Sequence, residues 1–478
     1  HYVYRREEFS TWYRRMKWYL ALCILWPFLC TIIGAVQFPY WDEKANEFLR
    51  DTTMVRVIAH VYPAIMTNET LLHLKYGVSM LIYTARDLLL PLLGIPFALY
   101  VMFHGKTKEY ILDTMSRAAV LAASMLCLYS LIEIPWLLTG NEFCAGILKW
   151  INVHLYDPAN AHGWWPPLLW KGQLRSFAYE PSYFGIEALF LLPLLWYRAL
   201  ELKEKHVGLV LILFTYMVFL THARTAQVIC LGELLLLIFL SLLGRYPAWG
   251  KRLVQVFIVT GLAFSIYLIL PMALSAIRGE RSTNALQPVA AFEKYVSEDV
   301  ASVGKKSQRS NMARWGNMVA LFNVGVDHPL VGVGTGFVSP YMTDHIPDFA
   351  REDGEINLWK AKLGEKGFVK SGYPILNTFG GMVAFYGIIG LFLFAWPIIY
   401  AGIKILKGYR CMLRCFGHIC VIVTLAGQIV CLNSNNFFYT YPLILGTTLL
   451  LCFQRDPKEK LASDRGQETD IRNLISKI

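Results

Sequence analysis

The sequence predicts an all-α polytopic membrane protein with about 10 to 12 transmembrane helices. Of its 478 residues, 55% are hydrophobic and only 17% are charged, and the mean hydropathy is +0.42. Soluble globular chains carry more charge and shorter apolar runs. Runs long enough to cross a hydrocarbon core, which needs roughly 20 residues, recur along the whole chain, starting with Trp18–Phe38.

Basic stretches predict which loops are cytoplasmic. The formal net charge is +11, and positive charge on short loops is the usual mark of the cytoplasmic side. Such stretches lie near the N-terminus, at 104–117 and at 404–414. This placement accounts for the charge without nucleic acid, so no nucleic-acid partner is expected. Most of the ten cysteines lie in apolar runs and none forms a metal-type CxxC pair, so we expect no disulfide framework, no metal and no cofactor.

Composition shifts divide the chain into six segments. These are N-terminal transmembrane helices (1–138), an outer-face loop (139–183), central transmembrane helices (184–270), a large periplasmic loop subdomain (271–376), C-terminal transmembrane helices (377–454) and a cytoplasmic tail (455–478). The predicted spans are Trp18–Phe38, Leu88–Phe103, Ala118–Leu138, Phe184–Leu200, Val207–Leu220, Val228–Leu243, Leu253–Leu270, Phe379–Tyr400, His418–Leu432 and Leu443–Cys452. This topology places 175–182, the turn at Arg224 and the 271–376 loop on one non-cytoplasmic face.

The stretch RSFAYEPSYFG, residues 175–185, concentrates polar residues just before an apolar run. Glu180-Pro181 is typical of a helix start, because proline lacks an N–H that the first turn does not need and has a preset φ. A helix N-terminus attracts anions through its dipole and its unpaired N–H groups. The alternative is that Glu180 and Ser182 only cap the helix.

Arg224 lies in THARTA, with almost no polar loop around it. A charge costs about 2.5–3.5 kcal/mol at mid-membrane and less near the interface. We therefore expect a partner or a function for Arg224; the alternative is snorkelling to lipid phosphates. Glu187 and Glu233 lie deeper in their spans, and structural pairing is favoured for both.

The large loop holds ARWGNMVALFNVGVDHPLVGVGTGF, residues 313–337. Apolar spacing over 311–322 predicts a helix. Glycines at 332, 334 and 336 allow a tight turn that can approach a ligand closely, although GxGxG without a preceding strand is not a dinucleotide fingerprint. His328, before a proline, is a second candidate base after Glu180, and a structural histidine is the alternative.

Four motifs in order resemble the O-antigen ligase/polymerase superfamily, which includes Wzy-type polysaccharide polymerases and O-antigen ligases. They are RSFAYEPSYFG, THARTA, ARWGNMVALFNVGVDHPLVGVGTG and LNTFGGMVAFYGIIG, and the resemblance covers roughly 170–395. It implies a metal-independent, inverting glycosyltransferase with a GT-C-like fold in the bacterial inner membrane, its active site facing the periplasm. By position, Arg175 and Arg224 are expected to engage the pyrophosphate of an undecaprenyl-linked donor, and Glu180 to be the motif carboxylate and base.

Six further residues are candidates for substrate binding. These are Arg281, Arg314, His328, Gly334, Asn377 and Trp165. Ligases commonly show His-Asn, nine residues and GxxG; here Leu376-Asn377 precedes Gly387-Ile388-Ile389-Gly390 at the same spacing. Because the histidine is missing, a polymerase is favoured over a ligase.

The expected partners follow from the same resemblance. They are undecaprenyl-pyrophosphate-linked oligosaccharide as both donor and acceptor, membrane lipid and, as a candidate, a chain-length regulator protein. Two alternatives remain open: a glycan ligase that uses the same donor, and a transporter or flippase of lipid-linked oligosaccharide. Polar residues concentrated on one face disfavour transport.

Overall fold

The computed structural model describes residues 6–155, 167–244, 249–277, 309–433 and 439–453. These residues form helices and connecting loops, and no strand occurs among them. The α-helices are α1 (Arg6–Gln37), α2 (Glu43–Asp51), α3 (Thr53–Val61), α4 (Glu69–Tyr83), α5 (Ile95–Phe103), α6 (Lys108–Thr139), α7 (Glu142–Leu155), α8 (Pro181–Trp196), α9 (Lys205–Leu220), α10 (Arg224–Leu243), α11 (Trp249–Ile277), α12 (Arg309–Asp327), α13 (Val338–His345), α14 (Gly354–Lys366), α15 (Thr378–Met412), α16 (Phe416–Cys431) and α17 (Thr440–Phe453). Short 3₁₀ helices cover Pro63–Met66 and Asp348–Ala350, and π-helical segments cover Thr84–Gly94 and Tyr197–Glu201.

Seven helical segments in the described part of the chain are long and apolar enough to cross a membrane, which confirms a polytopic α-helical membrane protein. They are Lys17–Gln37, Glu69–Phe103, Lys108–Thr139, Pro181–Glu201, Ala226–Leu243, Gly250–Pro271 and Thr378–Gly408. Three shorter apolar helices, of 10 to 17 residues, add Lys205–Leu220, Phe416–Cys431 and Thr440–Cys452. The predicted count of 10 to 12 spans stays a prediction.

The described residues divide into two compact units that cut across the predicted segments. The first unit combines those within His1–Pro96, Ser302–Gly402 and Cys431–Pro442. The second combines those within Phe97–Ala301, Ile403–Val430 and Leu443–Ile478.

An aromatic cluster joins distant stretches within the first unit. We call it the Phe38 cluster; its members are Phe38, Trp41, Tyr76, Phe337 and Phe368. The ring centroids of Phe38 lie 5.0 Å from Phe337 and 4.7 Å from Phe368. Aromatic pairs in this range contribute beyond the area they bury, so the cluster fixes α1 and α4 against the 337–368 segment.

Within the predicted loop subdomain, residues 309–376 are largely helical and belong to the first unit. Helix α12 confirms the helix predicted over 311–322. One buried core, which includes Leu321, Met342 and Ile356, joins α12 to α13 and α14. Ala384 of α15 belongs to the same core, so the segment is anchored on that helix.

Helix α8 is the most buried span and packs against α6, α9 and α10 in the second unit. Phe184 of α8 packs on Phe214 of α9, with ring centroids 5.5 Å apart. At the other end, Arg198 pairs with Asp113 at 2.8 Å and with Glu204 at 2.7 Å. Because α8 is enclosed by neighbours, its first residues are fixed in position.

Two predicted boundaries are wrong. The span predicted to begin at Leu88 belongs to one helical run, Glu69–Phe103, which continues through Arg86 and Asp87. Those two residues pair with each other at 2.6 Å, which satisfies both charges within the helix. Helix α15 extends through Met412, into a stretch predicted to be a cytoplasmic turn. Helix α11 continues through Ile277, but its apolar span ends at Pro271, next to the predicted end at Leu270.

Candidate functional site

The backbone turn at Arg175 and Ser176 is held by a carboxylate from inside a span. Glu133 of α6, which is only 2% exposed, accepts hydrogen bonds from the Arg175 N–H at 3.1 Å and the Ser176 N–H at 2.9 Å. Ser176 adopts a left-handed φ of 53°, and its hydroxyl donates to the Leu126 carbonyl at 3.0 Å. Non-glycine residues at positive φ are uncommon, so these hydrogen bonds hold the turn in a strained shape.

The side chain of Arg175 is buried in its own loop. It is 1% exposed, and its guanidinium donates to the carbonyls of Pro167 at 3.2 Å and Leu168 at 2.9 Å. These hydrogen bonds close the loop that leads to Glu180. The expected contact between Arg175 and a pyrophosphate stays a prediction.

Helix α8 begins as the sequence predicts. Glu180 is the extended N-cap residue and Pro181 occupies the first turn. The Glu180 carboxylate makes no capping hydrogen bond with the described backbone of α8, so Glu180 holds the N-cap position through its backbone alone. It instead accepts a hydrogen bond from the Ser182 hydroxyl at 3.3 Å. A half-buried carboxylate thus lies at the start of a membrane-spanning helix.

The loop before Glu180 meets the turn before Arg224. The Leu174 N–H donates to the Leu220 carbonyl at 2.9 Å, at the end of α9. In the turn itself, the Thr221 hydroxyl donates to the Val218 carbonyl at 2.7 Å and accepts from the Ala223 N–H at 3.0 Å. His222 between them has a φ of 49°, so both adjoining turns contain a non-glycine residue in a left-handed conformation.

Helices α8 and α10 begin side by side. A Cβ atom on Gly185 would lie only 2.4 Å from the Cβ of Ala226, so the two helices approach closely within their first two turns. The first turns of both helices present N–H groups that lack intrahelical partners. Arg224 is the first residue of α10, and its side chain lies outside the described part of the structure.

Gly185→Ala is expected to destabilise the protein by about 1–3 kcal/mol, because the added methyl overpacks this contact. The melting temperature in detergent would show the loss. Gly232→Ala is the matched control, since a Cβ at that position in α10 meets no atom within 4 Å. Ala226→Gly added to Gly185→Ala should restore stability; a melting temperature that Gly185→Ala leaves unchanged would contradict the close approach.

The glycine run of the large loop contacts protein. Gly334 has a φ of 80°, and a Cβ there would lie 2.9 Å from the Cα of Thr31 in α1. Similarly, a Cβ on Gly332 would meet the backbone at Phe385, and one on Gly336 would meet Met80. These glycines therefore allow the loop to approach other helices of the protein closely. A ligand role for Gly334 stays a prediction.

Asn377 caps a helix. Its side chain is 1% exposed; Oδ1 accepts from the Gly380 N–H at 2.7 Å, and Nδ2 donates to the Asn433 carbonyl at 2.9 Å. Ten residues later, Gly387 interrupts α15 with a φ of 67°. The N–H of Ile388 there donates to the Pro329 carbonyl at 2.8 Å, which joins two of the predicted motifs within the first unit.

The remaining predicted residues fall in three places. His328 packs edge-to-face on Tyr341 with centroids 5.2 Å apart. Burial and the neighbouring His345 lower the pKa of His328, against an opposing effect of Asp327, so its imidazole is neutral at pH 7. Arg314 is half-buried on α12. Arg281 and Trp165 lie outside the described residues.

A polar groove of about 430 Å³ lies between the C-terminal ends of α12 and α13. His345 Nε2 pairs with Asp327 Oδ2 across it at 2.7 Å. Burial disfavours the charged imidazole, but the hydrogen bonds to Asp327 and to the Tyr341 carbonyl outweigh burial and raise the pKa of His345. Below its folded pKa, a charged His345 therefore ties the two helices together.

Stability of the first unit should fall as the pH rises through the folded pKa of His345. The pKa of the folded state lies above the ordinary value of 6.5, so the contribution is complete below 6.5 and is lost above the folded pKa. We expect a loss below about 1 kcal/mol, since Asp327 is partly exposed. Melting temperatures at about pH 6 and about pH 8.5 should differ more for the native protein than for His345→Gln or Asp327→Asn. Equal differences in all three would contradict the pairing.

Sequence reasoning missed Glu133 and misjudged Glu233. An acid inside an apolar span was a usable signal in both cases, because such residues usually have a partner or a function. The pairing predicted for Glu233 is wrong: it is 2% exposed, and neither carboxyl oxygen has a hydrogen-bond partner among the described residues. The partners of Glu133 are backbone N–H groups 42 and 43 residues away along the chain, which no local pattern reveals.

The fold and the site define a polytopic, α-helical membrane protein with a polar turn cluster beside two helix N-termini. Comparisons with protein-family models, with curated proteins and with solved structures find no match. A narrower function is therefore a proposal that depends on the motifs and on the site geometry.

Proposed function

We propose that the protein is a polysaccharide polymerase of the bacterial inner membrane. It transfers a growing glycan from undecaprenyl pyrophosphate onto a lipid-linked repeat unit at the periplasmic face, with inversion and without a metal. The proposed architecture is GT-C-like, with the glycan acceptor approaching from the periplasm. The motif resemblance and the geometry of the second unit support this proposal.

One observation carries the proposal: Glu180 and the first residue of α10 lie at adjoining helix starts. The 2.9 Å hydrogen bond between Leu174 and Leu220 and the contact between Gly185 and Ala226 bring the two segments together. A pyrophosphate leaving group needs fixed positive charge and hydrogen-bond donors as its own charge builds. Two helix N-termini supply N–H donors for phosphate oxygens, and an arginine binds such oxygens bidentately.

The proposed residues have separate roles in a direct displacement. Glu180 accepts the proton of the acceptor hydroxyl, whose oxygen forms the new bond to the anomeric carbon. The bond from that carbon to the pyrophosphate oxygen breaks at the same time, and undecaprenyl pyrophosphate leaves with both electrons. Arg224 stabilises this leaving group. Arg175, enclosed by the carbonyls of Pro167 and Leu168, is a positioning residue for the loop.

The exposed rings of the same loop suit a sugar substrate. Phe177 is 38% exposed and Tyr179 is 50% exposed. Aromatic side chains have an apolar face, and the hydroxyl of tyrosine adds a polar contact. In the proposed complex these rings lie against the sugar next to the pyrophosphate.

Reconstitution tests the proposal directly. The purified protein in liposomes, given undecaprenyl-pyrophosphate-linked oligosaccharide alone, is expected to produce longer glycans on the lipid carrier, and to do so in EDTA. Transfer that requires a different, non-prenyl acceptor would mean a ligase. Movement of unchanged oligosaccharide across the bilayer would mean a flippase.

Arg224→Ala is expected to lower the elongation rate by about 10²–10³-fold, the scale for loss of one donor to a developing anion. Arg224→Lys should recover part of the rate, since lysine keeps the charge and loses the bidentate geometry. Arg117→Ala is the control, because Arg117 is exposed and forms only a surface pair with Asp113. The assay is product length per time at equal protein. Full activity of Arg224→Ala would remove Arg224 from the site.

A further inference from the structure

Helix α3 presents an apolar stripe to its surroundings. Met54, Val57 and Val61 are 61%, 57% and 88% exposed. Their spacing of three and four residues places them on one side of the helix. Tyr62, directly after the helix, is 55% exposed, so an aromatic ring borders the stripe.

The opposite side of α3 is firmly packed. Val55 is fully buried against the Phe38 cluster, and Ile58 and Ala59 pack on the same cluster. The helix is therefore held in a fixed orientation, with its second apolar side turned outward. A helix that buries one side in protein and leaves another apolar side uncovered requires an occupant for that surface.

The neighbours of α3 along the chain identify the occupant. The chain segment with α2 and α3 joins α1 to α4, and the membrane-spanning segments Lys17–Gln37 and Glu69–Phe103 lie directly on its two sides. Both segments expose apolar side chains of their own, such as Val36 at the end of α1 and Leu74 early in α4. The stripe on α3 thus belongs to a short connection between two membrane-spanning segments that themselves expose apolar side chains.

The charges of this segment exclude simple electrostatic attraction to lipid headgroups. Residues 43–61 contain three acidic and three basic residues, and Glu43–Arg50 and Asp51–Arg56 form pairs at 2.7 Å and 2.6 Å. Helices that bind membranes through anionic lipid are instead rich in Lys and Arg. Binding through α3 therefore depends on apolar contact.

We infer that α3 lies in the plane of the membrane surface, with Met54, Val57 and Val61 inserted among the acyl chains just below the headgroups. Interfacial helices bury their apolar face about 5–10 Å into this boundary, and Tyr62 suits the headgroup level. Through the Phe38 cluster, the same helix ties Phe337 and Phe368 to the membrane surface. This anchor is independent of the glycosyl-transfer proposal.

Depth-dependent quenching in nanodiscs that hold one protein molecule each tests the inference. An environment-sensitive fluorescent amino acid replaces Val57 or, separately, Val61. Leu74, on a span, is the lipid-facing control, and Glu47 of α2 and Asp348, at 90% side-chain exposure, are water-facing controls. Lipids brominated near the headgroup end of the acyl chain should reduce the fluorescence of the label at 57 or 61 by more than half. Lipids brominated near the methyl end of the chain should reduce it less. Both water-facing controls should stay unquenched.

Lipid composition and protein number separate the remaining occupants. Equal quenching in zwitterionic and anionic lipid is expected, whereas quenching confined to anionic lipid would overturn the apolar mechanism. Labels at 57 and 61 could instead be blue-shifted but unquenched while the label at 74 is quenched. That result would mean that another segment of the chain covers the stripe, and it would overturn the inference. A blue shift that appears only with two protein molecules per disc would mean a second copy and would overturn it as well.

Discussion

The Glu180→Gln variant is expected to lose about 10²–10⁴-fold in the rate of glycosyl transfer, the usual effect of removing a general base. Glutamine keeps the size of the side chain and can still accept the 3.3 Å hydrogen bond from Ser182, but it cannot take a proton. Pro181 still begins α8, so the fold should be retained. Single-turnover rate and donor affinity, measured on the same preparation, give the result.

The two measurements separate three roles for Glu180. A lost rate with unchanged or slightly tighter donor binding identifies the base, because a negative charge near the pyrophosphate has been removed. A lost rate with weaker donor binding indicates that Glu180 orients an arginine through an ion pair. A nearly normal rate would remove Glu180 from the catalytic residues. Glu142→Gln, at an exposed position in the first turn of α7, is the matched control and should be silent.

The Glu133→Ala variant is expected to lose about 2–6 kcal/mol of unfolding free energy, because two buried N–H groups lose their acceptor at about 1–3 kcal/mol each. The groups are those of Arg175 and Ser176. Glu133→Gln should lose less, since the amide oxygen can serve one of the two donors. Denaturant unfolding in detergent, followed by circular dichroism, measures both.

Glu233 provides the matched control for Glu133. Both glutamates are 2% exposed inside a span, but the carboxyl oxygens of Glu233 have no hydrogen-bond partner among the described residues. Glutamine removes the cost of a buried charge but keeps a buried polar group, so Glu233→Gln should leave stability nearly unchanged. Equal losses for Glu133→Gln and Glu233→Gln would show that burial alone, and not the two backbone hydrogen bonds, determines the effect.

Features set by neighbouring residues could be predicted from the sequence. The start of α8 at Pro181 and the turn that ends α9 at Leu220 are examples, because proline geometry and a short break between apolar runs act locally. The same local reasoning divided the run Glu69–Phe103 in two. Arg86 and Asp87 lie at the point of division, and their pairing at 2.6 Å makes both charges acceptable in a continuous helix.

Features set by distant residues could not be predicted. The glycines at 332, 334 and 336 were expected to permit close approach to a ligand, but the sequence does not say that helices α1, α4 and α15 approach them. Likewise, nothing in the sequence around Glu133 indicates that its carboxylate accepts hydrogen bonds from the N–H groups of Arg175 and Ser176. The position of the candidate site came from the motifs, while its supporting contacts required the fold.

The Phe38 cluster imposes an order on biosynthesis. Phe38, Trp41 and Tyr76 leave the ribosome early, whereas Phe337 and Phe368, which complete the cluster, follow the long insertion Phe97–Ala301. At roughly 5–20 residues per second, translating that insertion alone takes about 10–40 s. During this interval the early aromatic residues have no native partners from the late segment. The first unit therefore completes its fold only after the insertion Phe97–Ala301 has been translated. Until then, the aromatic residues of its N-terminal segment depend on the insertion machinery or on lipid to shield them from water.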